Sequence, residues 1–563
     1  MVRTADGRYL LAASLALGIS TVIWSIVIAR LQQGNADQLA NGFLFTDANT
    51  FRHAQFPAQH TQLLKWPLFW LLGSLHNAAA AYSAVTAILS MVTVGALAYL
   101  LARIVLGQAL LATLYVALTC VLMLIPAQVM GGVSSPLSMA MVSGRNVEYI
   151  VYIGALVLLL PKAKANEWLR WGMAAALFGL LFASDNMFLF YAVPGATMLL
   201  VYAYIRKRQV LRLLSLRWLA ASGVGYLLAK SLLWTANLFT GIVSDPATSN
   251  GYNASLAAVH SAMTAGLKAL LLNFGVSASA GRLAIVPALL NVLIIGLVVY
   301  ACYVVGRRMV QSSVQADKST LLAVLLGVST LAAYIGYVTV SHPVTLDARY
   351  LTIALFAGFV ALAVYGRTLH LHAVILHSMG GVLFVGSALG LVATVRHVDW
   401  TRVADPMYAR NAQVAAVLSK RPEQMLIGDF WQVLPIKEQT KRARQQILPL
   451  SGCMRPRQIL ASSAWRQDLY THSFAYLLPL TSSGMSFGRC SLRTAIVLYG
   501  PPSQIVRIGG TQKSPSELLL LYNDGAARIR GTRPGAPTPV FGVPTEGTAK
   551  PTGSTIVPLA DPS

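Results

Sequence analysis

LLAVLLGVSTLAAYIGYVTV, residues 321–340, is a run of twenty residues that contains no charged side chain. A helix of that length rises about 30 Å, which matches the hydrocarbon thickness of a typical bilayer. Apolar runs of similar length recur from residue 10 to about residue 394 and then stop. The sequence therefore predicts two parts, a membrane-embedded region and a soluble region that follows it.

The composition leads to the same prediction. Of the 563 residues, 56% are hydrophobic and 11% are charged, which is more apolar surface than a soluble fold of this size can bury. We expect an α-helical polytopic membrane protein with about eleven transmembrane helices in residues 1–395. Two shorter apolar segments, 63–75 and 253–275, predict helices lying flat on one leaflet. The expected spans are 9–29, 80–102, 108–126, 146–161, 171–184, 187–205, 214–237, 283–305, 320–340, 350–366 and 373–394.

Basic residues predict the orientation of these spans. They fall mostly in short loops on one side, which should be the cytoplasm, whereas the carboxylates nearest the membrane fall on the other side. The N-terminus would then be cytoplasmic and the C-terminal domain extracytoplasmic, in a multi-pass protein of a bacterial plasma (inner) membrane. A net charge of +24 suggests nucleic acid in a soluble protein, but here we expect the lipid bilayer as partner and no nucleic acid.

The soluble region is expected to be a small α/β or α+β domain over residues 396–529. Cys453 and Cys490 both lie in this domain, and an oxidising compartment would allow them to form a disulfide. Residues 530–563 are rich in Pro, Gly and Thr, which predicts a disordered tail. Strand-like runs occur at 424–430, 445–452, 494–500, 503–510 and 517–524, and helical stretches near 407–420 and 459–478.

The first outer loop, residues 30–77, holds the strongest candidate for catalysis. Asp47 could act as a general base toward an acceptor hydroxyl, or help to hold a divalent cation. Asp47 could also be the N-cap of a helix that begins at the next residue, since aspartate is favoured at that position. The basic residues of the loop, among them Arg52, His60 and Lys65, could neutralise a lipid phosphate.

Three further outer segments carry ionisable residues at the mouths of spans. Arg145 and Glu148 share a helix face, so they could pair with each other, or Arg145 could bind an anion with Glu148 in support. Asp185 lies in a tight turn between two spans, where turn chemistry alone would favour aspartate. Arg349 precedes Tyr350 at the start of a late span. Its guanidinium group could bind a phosphate, or its side chain could simply extend along the apolar helix so that the charge reaches water.

Several of these segments together resemble a known family. The first outer loop has an aspartate soon after the first helix, a flat amphipathic helix follows, and ARYL (348–351) opens a late span. In these features the sequence resembles the GT-C superfamily of multi-pass membrane glycosyltransferases. GRNVEY (144–149), SDNMFLF (184–190), GDFWQ (428–432) and GCMRP (452–456) also resemble uncharacterised bacterial members. Many members have two acidic residues close together in the first loop, whereas the segment Thr46-Asp47-Ala48-Asn49 of this chain has one carboxylate.

The resemblance implies an enzyme of cell-envelope biogenesis. Such an enzyme moves a sugar from a polyprenyl-phosphate carrier to a glycan, lipid or protein acceptor outside the cytoplasm. Asp47 would be the base, and no metal site is assigned, although a divalent cation at Asp47 stays open. The residues implied in substrate or phosphate binding are Arg52, Arg145, Glu148, Asp185, Arg349 and Tyr350.

The alternative function is non-catalytic. A membrane scaffold, or a transporter of lipid-linked envelope precursors, would need no general base, and the single carboxylate of residues 46–49 favours this interpretation. The scarcity of charged residues inside most predicted spans disfavours it, because a translocation path usually requires them.

Overall fold

The computed structural model describes part of the chain. Predicted spans 9–29, 80–102, 108–126 and 373–394 lie outside the described residues. The described residues are 36–73, 144–161, 166–243, 253, 255–273, 285–311, 317–340, 348–368, 406–421, 425–439, 446–451, 453, 455–456, 460–462, 473–479, 490–508, 517–523 and 555–557.

The first outer loop folds into short elements around a cluster of aromatic rings. The ring of Phe45 lies 5.0 Å from that of Phe51, 5.5 Å from Phe69 and 5.6 Å from Trp70. Such ring pairs add about 0.5–1.5 kcal/mol each beyond the area they bury. The elements are α1 (Ala36–Leu44), α2 (Ala48–Arg52), β1 (Ala54–Pro57), a 3-10 helix (Leu63–Lys65) and α3 (Trp66–Gly73).

Long helices then run through the middle of the chain, at the positions of seven predicted spans. The segment expected to lie flat at 253–275 is also helical. The elements are α4 (Asn146–Leu159), α5 (Glu167–Ser184), α6 (Met187–Ile205), α7 (Gln209–Asn237), β2 (Gly241–Val243), α8 (Leu256–Asn273), α9 (Ile285–Gln311), α10 (Lys318–Thr339), a second 3-10 helix (Ala348–Leu351) and α11 (Ile353–Thr368).

Helices α5 and α7 pack closely because glycine faces glycine between them. A Cβ atom at Gly225 would lie 2.6 Å from Phe178 Cβ and 3.1 Å from Ala175 O. A Cβ atom at Gly179 would lie 2.8 Å from Leu228 Cβ. Small residues that let two helix backbones approach are typical of helix packing in membranes.

The surface of the bundle is apolar. Among the described helices, α6 and α10 are long and apolar enough to cross a membrane, although the core helix of a soluble protein would meet the same criteria. The exposed side chains are more informative: Phe190 is 64% exposed, Leu227 69% and Trp234 68%. Lipid accommodates such a surface and water penalises it. These features indicate a polytopic membrane protein.

Basic residues gather at one end of the bundle. Residues 206–208 form the turn between α6 and α7, and Arg308 lies in the last turn of α9. The two places adjoin, because an Arg208 guanidinium nitrogen donates to Val310 O at 3.0 Å. Asp185 lies at the opposite end of α6. This separation is the one on which the predicted orientation depends; the side that faces the cytoplasm stays a prediction.

The C-terminal domain is built on a mixed seven-stranded sheet in the order β10-β8-β9-β7-β3-β4-β5. β3 pairs in parallel with β4 and β7, whereas β9 is antiparallel to β7 and β8. The elements are α12 (Pro406–Ser419), β3 (Met425–Asp429), α13 (Phe430–Gln439), β4 (Ile447–Ser451), β5 (Arg455–Pro456), β6 (Ala461–Ser462), β7 (Phe474–Pro479), α14 (Leu492–Tyr499), β8 (Gln504–Ile508), β9 (Glu517–Tyr522) and β10 (Thr555–Val557).

Two predictions for this domain are wrong. The run 494–500, expected as a strand, lies mostly in α14, because Ser491 accepts from Thr494 N at 3.0 Å and caps a helix there. The stretch 459–478, expected as a helix, contains β6 and most of β7 in its described parts. Its run FAYLLP is buried on both faces of the sheet, so it lacks the polar residues that would reveal a strand by alternation.

Two further predictions concern cysteines and the tail. A disulfide joins Cys453 and Cys490, whose Cα atoms lie 4.9 Å apart. Residues 555–557, inside the tail predicted to be disordered, form β10 and pair in parallel with β8. The other residues of that tail lie outside the described part of the chain.

The first outer loop and the C-terminal domain share one hydrophobic core. Phe45 and Phe56 belong to the same buried cluster as Phe430 and Leu426. A second, three-stranded sheet joins the same regions in the order β2-β1-β6, with β1 parallel to β2 and antiparallel to β6. The loop that carries Asp47 is therefore fixed to the C-terminal domain as well as to the end of α7.

Candidate functional site

The candidate site lies where the α5–α6 turn, the start of α4 and the first outer loop meet. Hydrogen bonds hold the loop against the turn: Gln62 N donates to Ser184 O and Asn186 N donates to Gln59 O, both at 3.0 Å. Thr61 Oγ1 donates to Ala183 O at 2.5 Å. Backbone groups that would otherwise be unpaired at the end of α5 are satisfied by residues far away in sequence.

Two buried ion pairs form at this junction. Arg145 Nε donates to Asp185 Oδ2 at 2.5 Å, and Lys65 Nζ lies 3.0 Å from Glu148 Oε2. Lys65, Glu148 and Asp185 are each at most 1% exposed. The pairing of Arg145 with Glu148, one of the two alternatives from sequence, is absent among these contacts, because each residue has another partner.

Further contacts fix each pair in place. Lys65 Nζ also donates to Gly144 O, next to Arg145, and Ser184 Oγ donates to Glu148 Oε1 at 3.1 Å. Asp185 Oδ1 accepts from Met187 N at 2.9 Å, so this aspartate also holds the first turn of α6. The turn role foreseen for Asp185 is present together with an ionic role.

The pairs determine the charge of the cluster. Burial by itself would raise the pKa of Asp185, but the adjacent Arg145 guanidinium lowers it below the ordinary value. Burial opposes the charge on Arg145, yet Asp185 more than offsets this and raises the pKa of Arg145. Burial lowers the pKa of His60, whose Nε2 lies 3.4 Å from Asp185 Oδ2, so His60 is neutral at pH 7.

A second arginine approaches the site from the 3-10 helix at 348–351. The guanidinium carbon of Arg145 lies 5.2 Å from the centroid of the Tyr350 ring, and that of Arg349 lies 5.3 Å from it. Tyr191 OH donates to Tyr350 O at 2.6 Å, and Thr352 Oγ1 donates to Arg349 O at 2.9 Å. One tyrosine ring therefore contacts two cations at the mouth of the bundle.

Asp47 is outside this cluster in the described contacts. It is exposed and caps α2: its carboxylate accepts from Thr50 N at 2.8 Å, from Thr50 Oγ1 at 2.7 Å and from Thr46 Oγ1 at 3.1 Å. Burial would raise its pKa, but these hydrogen bonds lower it below the ordinary value. The capping alternative from sequence is therefore correct as geometry. Arg52, at the other end of α2, is exposed.

The structure thus unites most of the predicted binding residues. Arg145, Glu148, Asp185, Arg349 and Tyr350 meet, while Asp47 and Arg52 lie one layer away: Phe51 packs at 5.3 Å on Trp66, which follows Lys65. His60 and Lys65, candidates from sequence for neutralising a lipid phosphate, also belong to the cluster, where they lie beside Asp185 and Glu148. The signal for Lys65 was its position as a charge inside an otherwise apolar run.

A metal site receives no support from these residues. No group of three or more His, Cys, Asp and Glu side chains that could hold an ion occurs in the part of the chain that the structure describes. Asp47 would be a single ligand there, and its oxygens already accept three hydrogen bonds. We therefore route no step of the chemistry through a cation.

Solved structures similar to this chain include two of the same protein. Both are crystal structures of ArnT from Cupriavidus metallidurans, one bound to undecaprenyl phosphate and one in the apo state. The first has 12% identity and a TM-score of 0.36, and it covers 90% of this chain and 97% of that one. The second has 14% identity and a TM-score of 0.38, with 92% and 98% covered.

No family model matches the sequence, and no curated protein matches it either.

Proposed function

We propose that this chain is a membrane glycosyltransferase that moves a sugar from a polyprenyl-phosphate carrier to an acceptor glycan, lipid or protein. The observation that carries the proposal is the approach of Arg145 and Arg349 to one tyrosine ring. An anion placed between the two guanidinium groups would be attracted to both of them, in addition to the Asp185 carboxylate that already pairs with Arg145. A lipid phosphate has the charge for this place, and its chains suit the apolar surface of the bundle.

The proposed roles follow from exposure and pairing. Arg145 and Arg349 would contact the carrier phosphate and neutralise it as it departs, which stabilises the transition state. Arg52, being exposed, would contact the outer part of the substrate. Asp185 and Glu148 are buried and paired, so they would position Arg145 and Lys65 without touching the substrate.

The chemical step is a substitution at the anomeric carbon. The oxygen of an acceptor hydroxyl forms a bond to that carbon, the bond to the phosphate oxygen breaks, and the configuration inverts. The hydroxyl proton passes to a base, for which we propose Asp47, since its carboxylate is exposed to an incoming acceptor. Its lowered pKa keeps Asp47 ionised but also makes it a weak base.

Asp317 provides a matched control for Asp47. It caps α10 in the same way, accepting from Thr320 N at 3.1 Å and from the hydroxyl of Thr320, and it is also exposed. Replacing either aspartate by asparagine changes a helix cap, but Asp317 lies at the N-terminus of a different helix. A difference in activity between the two variants therefore reports on more than capping.

The test is transfer of radiolabelled sugar from a polyprenyl-phosphate donor by the purified full chain. We expect Asp47→Asn to reduce turnover at least about a hundredfold, as loss of a general base does, while Asp317→Asn retains wild-type turnover. Arg349→Gln should raise KM for the donor and lower turnover together. If both asparagine variants turn over equally well, Asp47 is a cap and no base.

The non-catalytic alternative is favoured by one observation. Lys65, Glu148 and Asp185 are almost completely buried and already paired, as expected for an ionic network that only holds helices together. A scaffold or a transporter would show no turnover with any polyprenyl-phosphate sugar, and Arg349→Gln would leave its assembly unaltered.

A further inference from the structure

A separate cavity lies at the other end of the bundle. It has a volume of about 410 Å³ and opens between the end of α4, the start of α5 and α7. Leu159 and Leu216 contribute to its apolar wall, and Arg170, Arg217, Trp168 and Trp171 also line it. None of these residues belongs to the ionic cluster around Asp185.

The cavity and the ionic cluster occupy opposite faces of the membrane region. α5 begins at Glu167, which lines the cavity, and ends at Ser184, which contacts Glu148 in the cluster. A helix of this length rises about 26 Å, which is close to the thickness of the hydrocarbon layer. The cavity therefore lies at the level of the opposite head groups.

The charge at the cavity is positive. Arg217 pairs with Glu167 at 2.7 Å, while Arg170 donates to Val157 O at 3.1 Å. Two guanidinium groups and one carboxylate leave an excess of one positive charge. In each of these bonds one guanidinium nitrogen is engaged, and a guanidinium has five N–H donors in a geometry that fits a phosphate.

The aromatic residues place the cavity at the interface. Trp168 is 82% exposed, and Trp171 Nε1 donates to Arg217 O at 3.4 Å, which ties the indole to the arginine. Tryptophan is enriched where hydrocarbon meets head groups. These residues match the parts of a phospholipid: the apolar wall fits an acyl chain, the two arginines fit the phosphate, and the two tryptophans lie at the level between them.

We propose that this cavity binds the phosphate of an anionic glycerophospholipid, with an acyl chain lying along the leucines. Arg170 and Arg217 would contact the phosphate, and Trp168 would cover the glycerol region. The site is independent of sugar transfer, because it depends only on the bundle being in a membrane. Its ligand is a resident lipid of the leaflet on the basic face, whereas the carrier would bind at the opposite face.

The experiment measures quenching of tryptophan fluorescence in the full chain by lipids with brominated acyl chains. We expect phosphatidylglycerol to quench at lower concentration than phosphatidylcholine, by about fivefold for each arginine that contributes. The extra quenching should vanish in Trp168→Phe/Trp171→Phe, which removes the two reporters. Arg170→Gln/Arg217→Gln should remove the preference while phosphatidylcholine still quenches and the Tm stays near that of the wild type, which together show that the variant is folded and in the bilayer.

The controls separate this site from general attraction. Arg308→Gln removes an exposed cation from the same face, outside the cavity, and should leave the preference unchanged. Arg170→Lys/Arg217→Lys keeps the charge and should retain part of the preference. Equal quenching by both lipids, an unchanged preference in the double glutamine variant, or complete displacement by inorganic phosphate would each overturn the proposal.

Discussion

At the scale of single residues, the buried pair of Lys65 and Glu148 should be sensitive to substitution. Lys65→Met leaves the Glu148 carboxylate uncompensated at 0% exposure. Removing one partner of a buried ion pair costs about 3–5 kcal/mol. We expect a clear decrease in the Tm of the detergent-purified protein, measured by thermal unfolding.

The double variant Lys65→Met/Glu148→Leu tests whether charge is the cause. It removes both charges, so its Tm should lie above that of Lys65→Met alone. If the double variant is less stable than both Lys65→Met and Glu148→Leu, the ionic explanation is wrong and lost packing is the cause.

His60 predicts a dependence of stability on pH. Its pKa is lowered in the folded state, so between that value and about 6.5 the unfolded chain binds more protons than the folded one. The free energy of unfolding therefore decreases as the pH falls below about 6.5. His60→Gln should reduce the loss of Tm between about pH 7.5 and pH 5; an identical loss would show that another group is responsible.

Sequence reasoning reached the residue types of the site but not its partners. Arg145, Asp185 and Arg349 were recognised because charge at the mouth of a span is costly. That Arg145 pairs with Asp185, forty positions away, depends on how α4 meets the α5–α6 turn, which a single sequence does not encode locally. Local spacing offers Glu148 as the partner of Arg145, whereas the folded chain pairs Arg145 with Asp185.

At the scale of elements, a substitution that adds a side chain at Gly225 should disrupt the contact between α5 and α7. Gly225→Ala places a methyl group 2.6 Å from Phe178 Cβ, so one helix must shift. Overpacking of this kind costs about 1–3 kcal/mol. Gly223→Ala is the matched control, because nothing lies within 4 Å of its added methyl group.

Both alanine variants gain about the same helix propensity, near 1 kcal/mol relative to glycine. The Tm of Gly225→Ala should therefore be below wild type and that of Gly223→Ala at or above it. Equal Tm values would mean that the two helices can separate without penalty.

Elements with long apolar runs were the most predictable. α6 has the same bounds as its predicted span. Residues 187–205 contain no charged side chain, and the run is flanked by Asp185 and Arg206. The misassigned elements, α14 and β7, are short apolar runs of eight and six residues. Periodicity cannot distinguish a buried strand from a buried helix at that length.

At the scale of the whole molecule, the disulfide between Cys453 and Cys490 should stabilise the C-terminal domain. The bond closes a loop between residues 37 apart, and loss of such a bond typically costs about 2–4 kcal/mol. The variant Cys453→Ser/Cys490→Ser should unfold at a lower denaturant concentration than the wild type. Added reductant should not change the midpoint of its unfolding. Cys302→Ser, which removes a free cysteine, is the control; a reductant effect in the double serine variant would contradict the assignment.

The sharp change in hydropathy after residue 394 predicts a division into a membrane region and a soluble domain. No sequence pattern predicts that the first outer loop pairs with strand β6 of the C-terminal region. β1 and β6 are four and two residues long, too short for a pattern, and they are separated by roughly four hundred residues of chain.

That joining has a consequence for how the protein is made. β1 gains its second neighbour only after Ala461 has left the ribosome, late in synthesis. Until then, Phe45 and Phe56 cannot pack against Phe430. The aromatic side chains of the loop that carries Asp47 therefore lack the contacts that the C-terminal domain later provides. Biogenesis would therefore expose this segment to translocation machinery and proteases for most of translation, and the loop that carries Asp47 would gain its last neighbours near the end of it.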